Sequence, residues 1–192
     1  MNFKKYLALG AMALLSSLGV SAFAQGGGAK PTDPQIAGVV QTANQLDISA
    51  AKLALKKTRN DQVKQFAQQM IDDHTKLEKS VNDLATKLGV KPEDSDISKS
   101  LKTAAAEETK KLQGLKGKAF DKEYIDHEVS YHQQVLDAAG NVLIPNAQNA
   151  ELKSALEGAA PLLQGHLDHA KQIQSSLESS ASGATEKKGH KH

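Results

Sequence analysis

The stretch NDQVKQFAQQMIDDHTKLEKSVNDLATKLG, residues 60–89, repeats its apolar side chains at intervals of three and four rather than two. At roughly 100° per residue, Val63, Ala67, Met70, Leu77, Val81, Ala85 and Leu88 fall on one stripe. That period predicts an amphipathic helix, and Gly89 predicts where it stops. His74 sits in the middle of the apolar stripe and interrupts it.

The same punctuation divides the rest of the chain. A first helix is expected over about 33–58, with Asp33 as N-cap and Pro34 at the first helical position. A shorter helix follows over about 97–115. A further one spans about 121–139, stopped by Gly140 and then Pro145, and a last one about 149–177, kinked at Pro161. Tight connections join the first helix to the second and the fourth to the fifth, and the third lies in a long crossover between these hairpins. Such connectivity predicts an all-α, ferritin-like four-helix bundle of two antiparallel hairpins, with an additional shorter helix in the crossover, over residues 33–178.

The ends read differently. Residues 1–24 carry Lys4 and Lys5, an apolar run and then Ala22-Phe23-Ala24, the pattern of a cleaved secretory signal peptide. Export to the periplasm is the expected localisation, with peripheral attachment to the envelope or outer membrane left open. Residues 25–32 form a Gly-rich flexible linker, and 179–192 a polar tail expected to be disordered. Losing Lys4 and Lys5 leaves 22 basic residues against 22 acidic ones, so nothing suggests a nucleic-acid partner. Cysteine is absent, which excludes disulfides, thiolate catalysis and cysteine-ligated metals. No apolar run after residue 24 is long enough to span a membrane. Oligomeric state is not assigned by any feature.

Polar residues on the inward faces carry the functional signal. In the last helix the expected face is Ala155, Ala159, Leu162, Leu163, Ala170, Ile173 and Leu177, with His166 at its centre and His169 one turn along. Asp47 is central on the face of the first helix. In the fourth, Glu128 falls among Tyr124, Tyr131, Val135, Ala139 and Val142, and His132 lies about 40° further round. His127 occupies the opposite shoulder, free to pair with Glu123 or face solvent, and Glu108 sits among the apolar residues of the crossover helix. A buried polar group without a partner costs about 1–3 kcal/mol, and a bare charge more. If these faces meet, the groups must bind one another, water or an ion. His74, His132 and His166, completed by Asp47, Glu128 or His169, form a donor set suited to Zn, Mn, Fe, Ni or Cu.

The motifs MIDDH (70–74), FDKEY (120–124) and PLLQGHLDHA (161–170), with His132 and the run from Lys52, resemble the domain-of-unknown-function 4142 family. This resemblance implies an exported helical bundle of ferritin-like fold with no assigned activity. It implies that His74, His132 and His166 match the family's recurrent histidines. The pattern departs from ferritin-like di-iron enzymes, which use Glu-x-x-His on two helices: here Asp72-Asp73-His74 and Glu128-x-x-x-His132 have other spacings.

Two functions follow as expectations. One is a metal-handling or stress-protection protein with a transition metal in its core. The other is a non-enzymatic structural or interaction module whose buried histidines and acids form a metal-free hydrogen-bond network. No phosphate loop, nucleophile elbow or His-Glu-x-x-His motif supports an enzyme.

Overall fold

The computed structural model describes the backbone of residues 30–186 and the side chains of 30–180. The expected signal peptide 1–24, most of the linker and tail residues 187–192, including His190 and His192, lie outside the described residues. No strand occurs among those described.

Six helices follow in order: α1 (Asp33–Lys57), α2 (Asp61–Leu88), α3 (Asp96–Gly114), α4 (Gly117–Ala138), α5 (Ile144–Asn146) and α6 (Ala150–Glu186). The α1–α2 and α4–α6 pairs form the two hairpins, and α3 crosses between them, packing on α1 and α4. The expected all-helical bundle with a helix in its crossover is the observed architecture. No helix among the described residues is long and apolar enough to cross a membrane.

Local chemistry sets the boundaries, and several differ from the pattern reading. Thr32, not Asp33, caps α1: its hydroxyl accepts from Gln35 N while the Gln35 side chain accepts from Thr32 N, a closed capping box. Asp33 is thereby released to accept from the backbone of Gln148 and Asn149, fastening the start of α6 to the start of α1. Helix α4 begins four residues before Asp121, with Gly117 at φ 56°. Gly140 does not stop it. The chain widens into a π-helical turn, Ala139–Leu143, that absorbs the break and leads into α5. Helix α6 runs unbroken through Pro161 and on to Glu186, past the expected boundary at 178. There Ser179 and Ser180 hydroxyls donate to the carbonyls of Ser175 and Ser176, which gives a polar segment local helical bonds that composition does not register.

Cross-links hold the crossover in place. Lys57 Nζ donates to the carbonyls of Leu112 and Gln113 at 2.7 Å each, closing the last turn of α3. The buried Thr58 hydroxyl donates to Asp121 Oδ1 at 2.5 Å, joining the end of α1 to α4. On the other side, the loop after α2 lies against α1, where Glu93 N donates to Pro34 O at 2.9 Å. Gly38 permits that approach, because a Cβ there would stand 2.0 Å from Glu93 O, a backbone atom with no rotamer to yield. Gly38→Ala is therefore expected to lower the melting temperature by an amount equivalent to about 1–3 kcal/mol, read by thermal unfolding. An unchanged melting temperature would mean the loop moves away at no cost.

The apolar core falls into two clusters. One gathers Ala51, Ala54, Val63, Phe66, Met70, Phe120, Tyr124, Ile125, Ala170 and Ile173. The other gathers Ile36, Val39, Leu101, Leu143, Leu152 and Leu156. On all four long bundle helices the chain passes from one cluster to the other through a buried polar residue: Asp47, His74, Glu128 with His132, and His166. A polar layer thus separates two apolar halves.

Candidate metal centre

The layer is fully desolvated. Asp47, His74, Glu128, His132 and His166 are all buried, His166 completely. The His74, His132 and His166 rings are centred 5.2–5.7 Å apart, and one ring nitrogen from each lies within 4.8 Å of the others. Asp47, Glu128 and His132 satisfy the same distance and share His132 with the first group.

The outer nitrogen of each histidine is already engaged. His74 Nδ1 donates to Asn44 Oδ1 at 2.8 Å, and His132 Nδ1 to the carbonyl of Glu128 at 3.0 Å. His166 Nε2 donates to Asp73 Oδ2 at 3.2 Å. Each bond assigns the ring's proton to that nitrogen and leaves the other with an unshared lone pair. His74 Nε2, His132 Nε2 and His166 Nδ1 are, correspondingly, buried without a hydrogen-bond partner, as are both oxygens of Asp47. Asp47 Oδ2 stands 3.3 Å from His74 Nε2 and 3.6 Å from His132 Nε2, close contacts without hydrogen-bond alignment. Three buried nitrogens thus lack a partner, and the Asp47 carboxyl lies against two of them, those of His74 and His132.

Burial shapes their charge. Desolvation, with its histidine neighbours, pushes the His74 pKa down to about 3, and desolvation also holds His166 below the ordinary imidazole value, so both rings are neutral at pH 7. The His166–Asp73 contact is thus a neutral N–H on an ionised carboxylate. For Asp73, hydrogen bonds from His166 and Lys76 outweigh desolvation and lower the pKa. Asp47 goes the other way: burial first, and the nearby Glu128 second, raise it well above the carboxylate range. Desolvation lifts Glu128 to about 8, against a lowering interaction with Tyr124 and with some help from Glu108. Glu128 therefore holds its proton at neutral pH, and Asp47 is shifted toward its protonated form.

Not every expected residue joins. His169 stands outside both groups: its Nδ1 meets Gln69 Oε1 at 3.0 Å and its ring packs edge-on against Phe66. The Tyr131 ring stands edge-on to His132 but its hydroxyl donates to Ala43 O, while the Tyr124 hydroxyl is buried without an aligned partner. His127 neither pairs with Glu123 nor lies open to water; it stacks on Tyr131 at 5.6 Å, and burial lowers its pKa to about 4. On α6 the inward face is rotated from the one expected, for Ala155 and Leu162 are exposed and Leu152, Leu156 and Leu167 are buried. Asn44 and Asp73 went unrecognised as functional. Asn44 shares the Asp47 face three residues earlier, a signal the sequence does contain. Asp73 adjoins His74 but faces α6, which no single-helix pattern reveals.

The family model for a domain of unknown function, DUF4142, matches residues 18–173. The chain belongs to the DUF4142 family. Two solved structures share the fold of this DUF4142 protein. One is a DUF305 protein from Streptomyces coelicolor, named as a candidate secreted protein: TM-score 0.64, 13% identity, covering 75% of this chain and 92% of that one. The other is CopM in the Cu(II)-bound form: TM-score 0.59, 20% identity, covering 76% of this chain and 98% of that one. At these identities the likeness shows the fold alone. No curated protein sequence matches the chain.

Proposed function

We propose that this DUF4142 protein is an exported metal-binding bundle that holds one transition-metal ion through His74, His132, His166 and Asp47. The observation that carries the reading is the orientation of the rings: three histidines, each tied by its outer nitrogen, leave their other nitrogens buried and unpaired beside an unpaired carboxylate. Outer partners that fix tautomer and ring angle are what metal-ligating histidines use. The donor chemistry, imidazole and carboxylate without sulfur, favours borderline ions such as Cu(II) or Zn(II) over Mg or Ca. A tetrahedral ion with bonds of about 2.0–2.1 Å sets its ligand atoms about 3.3 Å apart, and Asp47 Oδ2 already stands 3.3 Å from His74 Nε2 and 3.6 Å from His132 Nε2. Glu128, which converges with Asp47 and His132 but not with His74 and His166, and His169, held by Gln69, are left outside the first set of ligands.

The N-terminal leader pattern and the fold shared with a candidate secreted protein support export; CopM, a bundle of like fold solved with Cu(II), supports the choice of ion class. Metal handling or protection against metal stress is the role consistent with such a site.

Untagged protein, stripped with chelator and titrated with Cu(II) or Zn(II), is expected to bind one ion per chain and, at a free concentration about 100 times Kd, to gain about 3 kcal/mol of stability. In a chain of this size that is a rise of about 5–10 °C in melting temperature. Because Asp47 must lose its proton to ligate, calorimetry in buffers of different ionisation enthalpy should show proton release, and affinity should rise with pH. A content far below one ion per chain under all these metals would sink the reading.

One observation favours a second reading, a metal-free network. A protonated Asp47 has its oxygen 3.3 Å from His74 Nε2 and could supply the missing hydrogen. On that reading His74→Leu leaves or raises the melting temperature, and added metal changes nothing.

A further inference from the structure

Above the histidine layer, on the side of the Ile36–Leu156 cluster, the four helices enclose a cavity of about 130 Å³. Val40, Leu77, Leu84, Val135, Leu143 and Leu163 are among the apolar side chains of its wall, and His74 and His132 close its inner end. Its existence follows from the sequence. The opposite half of the core is filled by Phe66, Phe120 and Tyr124, whereas the side chains bordering the cavity are mostly alanine, valine and leucine, with Tyr131 the sole aromatic apart from the two histidines and only Asn44 and Ser80 otherwise polar. Small side chains on four helices held apart by a continuous polar layer leave space that aromatic rings occupy elsewhere. Exposed Ser80 on α2 and Ala155 on α6 border the cavity and mark its opening to solvent.

We propose that this cavity is a binding site for an uncharged, apolar molecule of about the size of benzene, seated against the His74 and His132 rings. The chemistry of the wall selects the guest. A charged or strongly polar molecule would lose its hydration and recover hydrogen bonds only at the inner end, whose Asn44 is already bonded to His74. An apolar molecule gains contacts with walls that otherwise face a void or poorly bonded water. A dry cavity of about 150 Å³ with similar lining accommodates benzene or xenon in an engineered protein, so the volume here is of the right order. The cavity is set between α1, α2, α4 and α6 and is partly open to solvent. The site stands on the cavity alone and does not depend on metal binding.

The test uses the full chain, free of metal, with benzene as probe and benzoate as the charged control of similar shape. Methyl NMR spectra of Leu77, Leu84 and Leu163 are expected to shift and saturate with benzene and to stay unchanged with benzoate. Val135→Phe, which fills the space, should weaken benzene binding at least tenfold. Should that variant fail to fold, a xenon-pressurised crystal of the wild-type protein reads the same point directly, with xenon expected between Leu84 and His132. Shifts that grow linearly to the solubility limit, equal shifts with benzoate, or xenon found elsewhere would overturn the proposal.

Discussion

His132→Ala is expected to weaken binding of Cu(II) or Zn(II) by more than a hundredfold. His132 is the residue common to both groups of convergent donors, and its Nε2 is an unpaired buried atom of the layer. Deleting it removes a ligand outright. Disturbing only the outer partner of a ligand already costs about 10–100-fold in affinity, so the direct loss sets the larger effect. The same comparison supplies a graded check. Asn44→Ala removes the acceptor that points His74 Nε2 inward, and Asp73→Ala does the same for His166, and each should fall in that smaller range. His169→Ala, whose ring is held by Gln69 outside the layer, should leave affinity within a few-fold of wild type. Calorimetric titration of the four variants reads the order directly. Equal affinity of His132→Ala and the wild type would place the ion elsewhere, in the tail histidines or on the surface.

Glu128→Gln is expected to stabilise the metal-free protein, and to do so more at high pH than at low. In the folded chain burial lifts Glu128 from 4.5 to about 8. Between these values the unfolded chain has released its proton while the folded chain retains it, so the unfolded state binds fewer protons and stability falls as pH rises. Below pH 4.5 there is no penalty, and above about 8 it is complete and constant. At ~1.4 kcal/mol per pKa unit the full penalty is on the order of a few kcal/mol. The amide keeps the shape and never ionises, and it also withdraws the negative charge that helps raise Asp47. Variant minus wild type in unfolding free energy should therefore climb through pH 4.5–8 and level off. His74 contributes a slope of the opposite sign, since its folded value of about 3 lies below 6.5 and stability is lost as pH falls through that interval. It is present in both proteins and cancels in the difference. A difference that stays flat with pH would show that Glu128 ionises freely in the fold.

His132 and Glu128 are residues whose inward placement was legible in the linear pattern; that of Asp73 was not. The 3.6-residue period separates His74, His132 and His166 from the solvated acids beside them, because the angle of a side chain about its own helix axis depends only on position in the chain. Capping was not read correctly, although the bonds are local: Thr32 with Gln35 displaces the expected Asp33, and Ser95 with Ser98 closes a cap that the pattern reading did not single out. Less legible was the phase of α6, where the adjacent Leu162 and Leu163 fit two neighbouring faces and only one of them meets the bundle.

The sequence by itself determined the long helices, their hairpin order and the inward placement of Asp47, His74, Glu128, His132 and His166. It could not decide how those helices align along their axes and rotate against each other, since that depends on packing summed over both apolar clusters. Tertiary structure alone brings His74, His132 and His166 together and Asp47 against His74 and His132, turns His169 aside to Gln69, and sets Asn44 and Asp73 against the outer nitrogens that leave the inner lone pairs free. A lone pair's direction is a property of two neighbouring helices at once, and no single-helix pattern contains it.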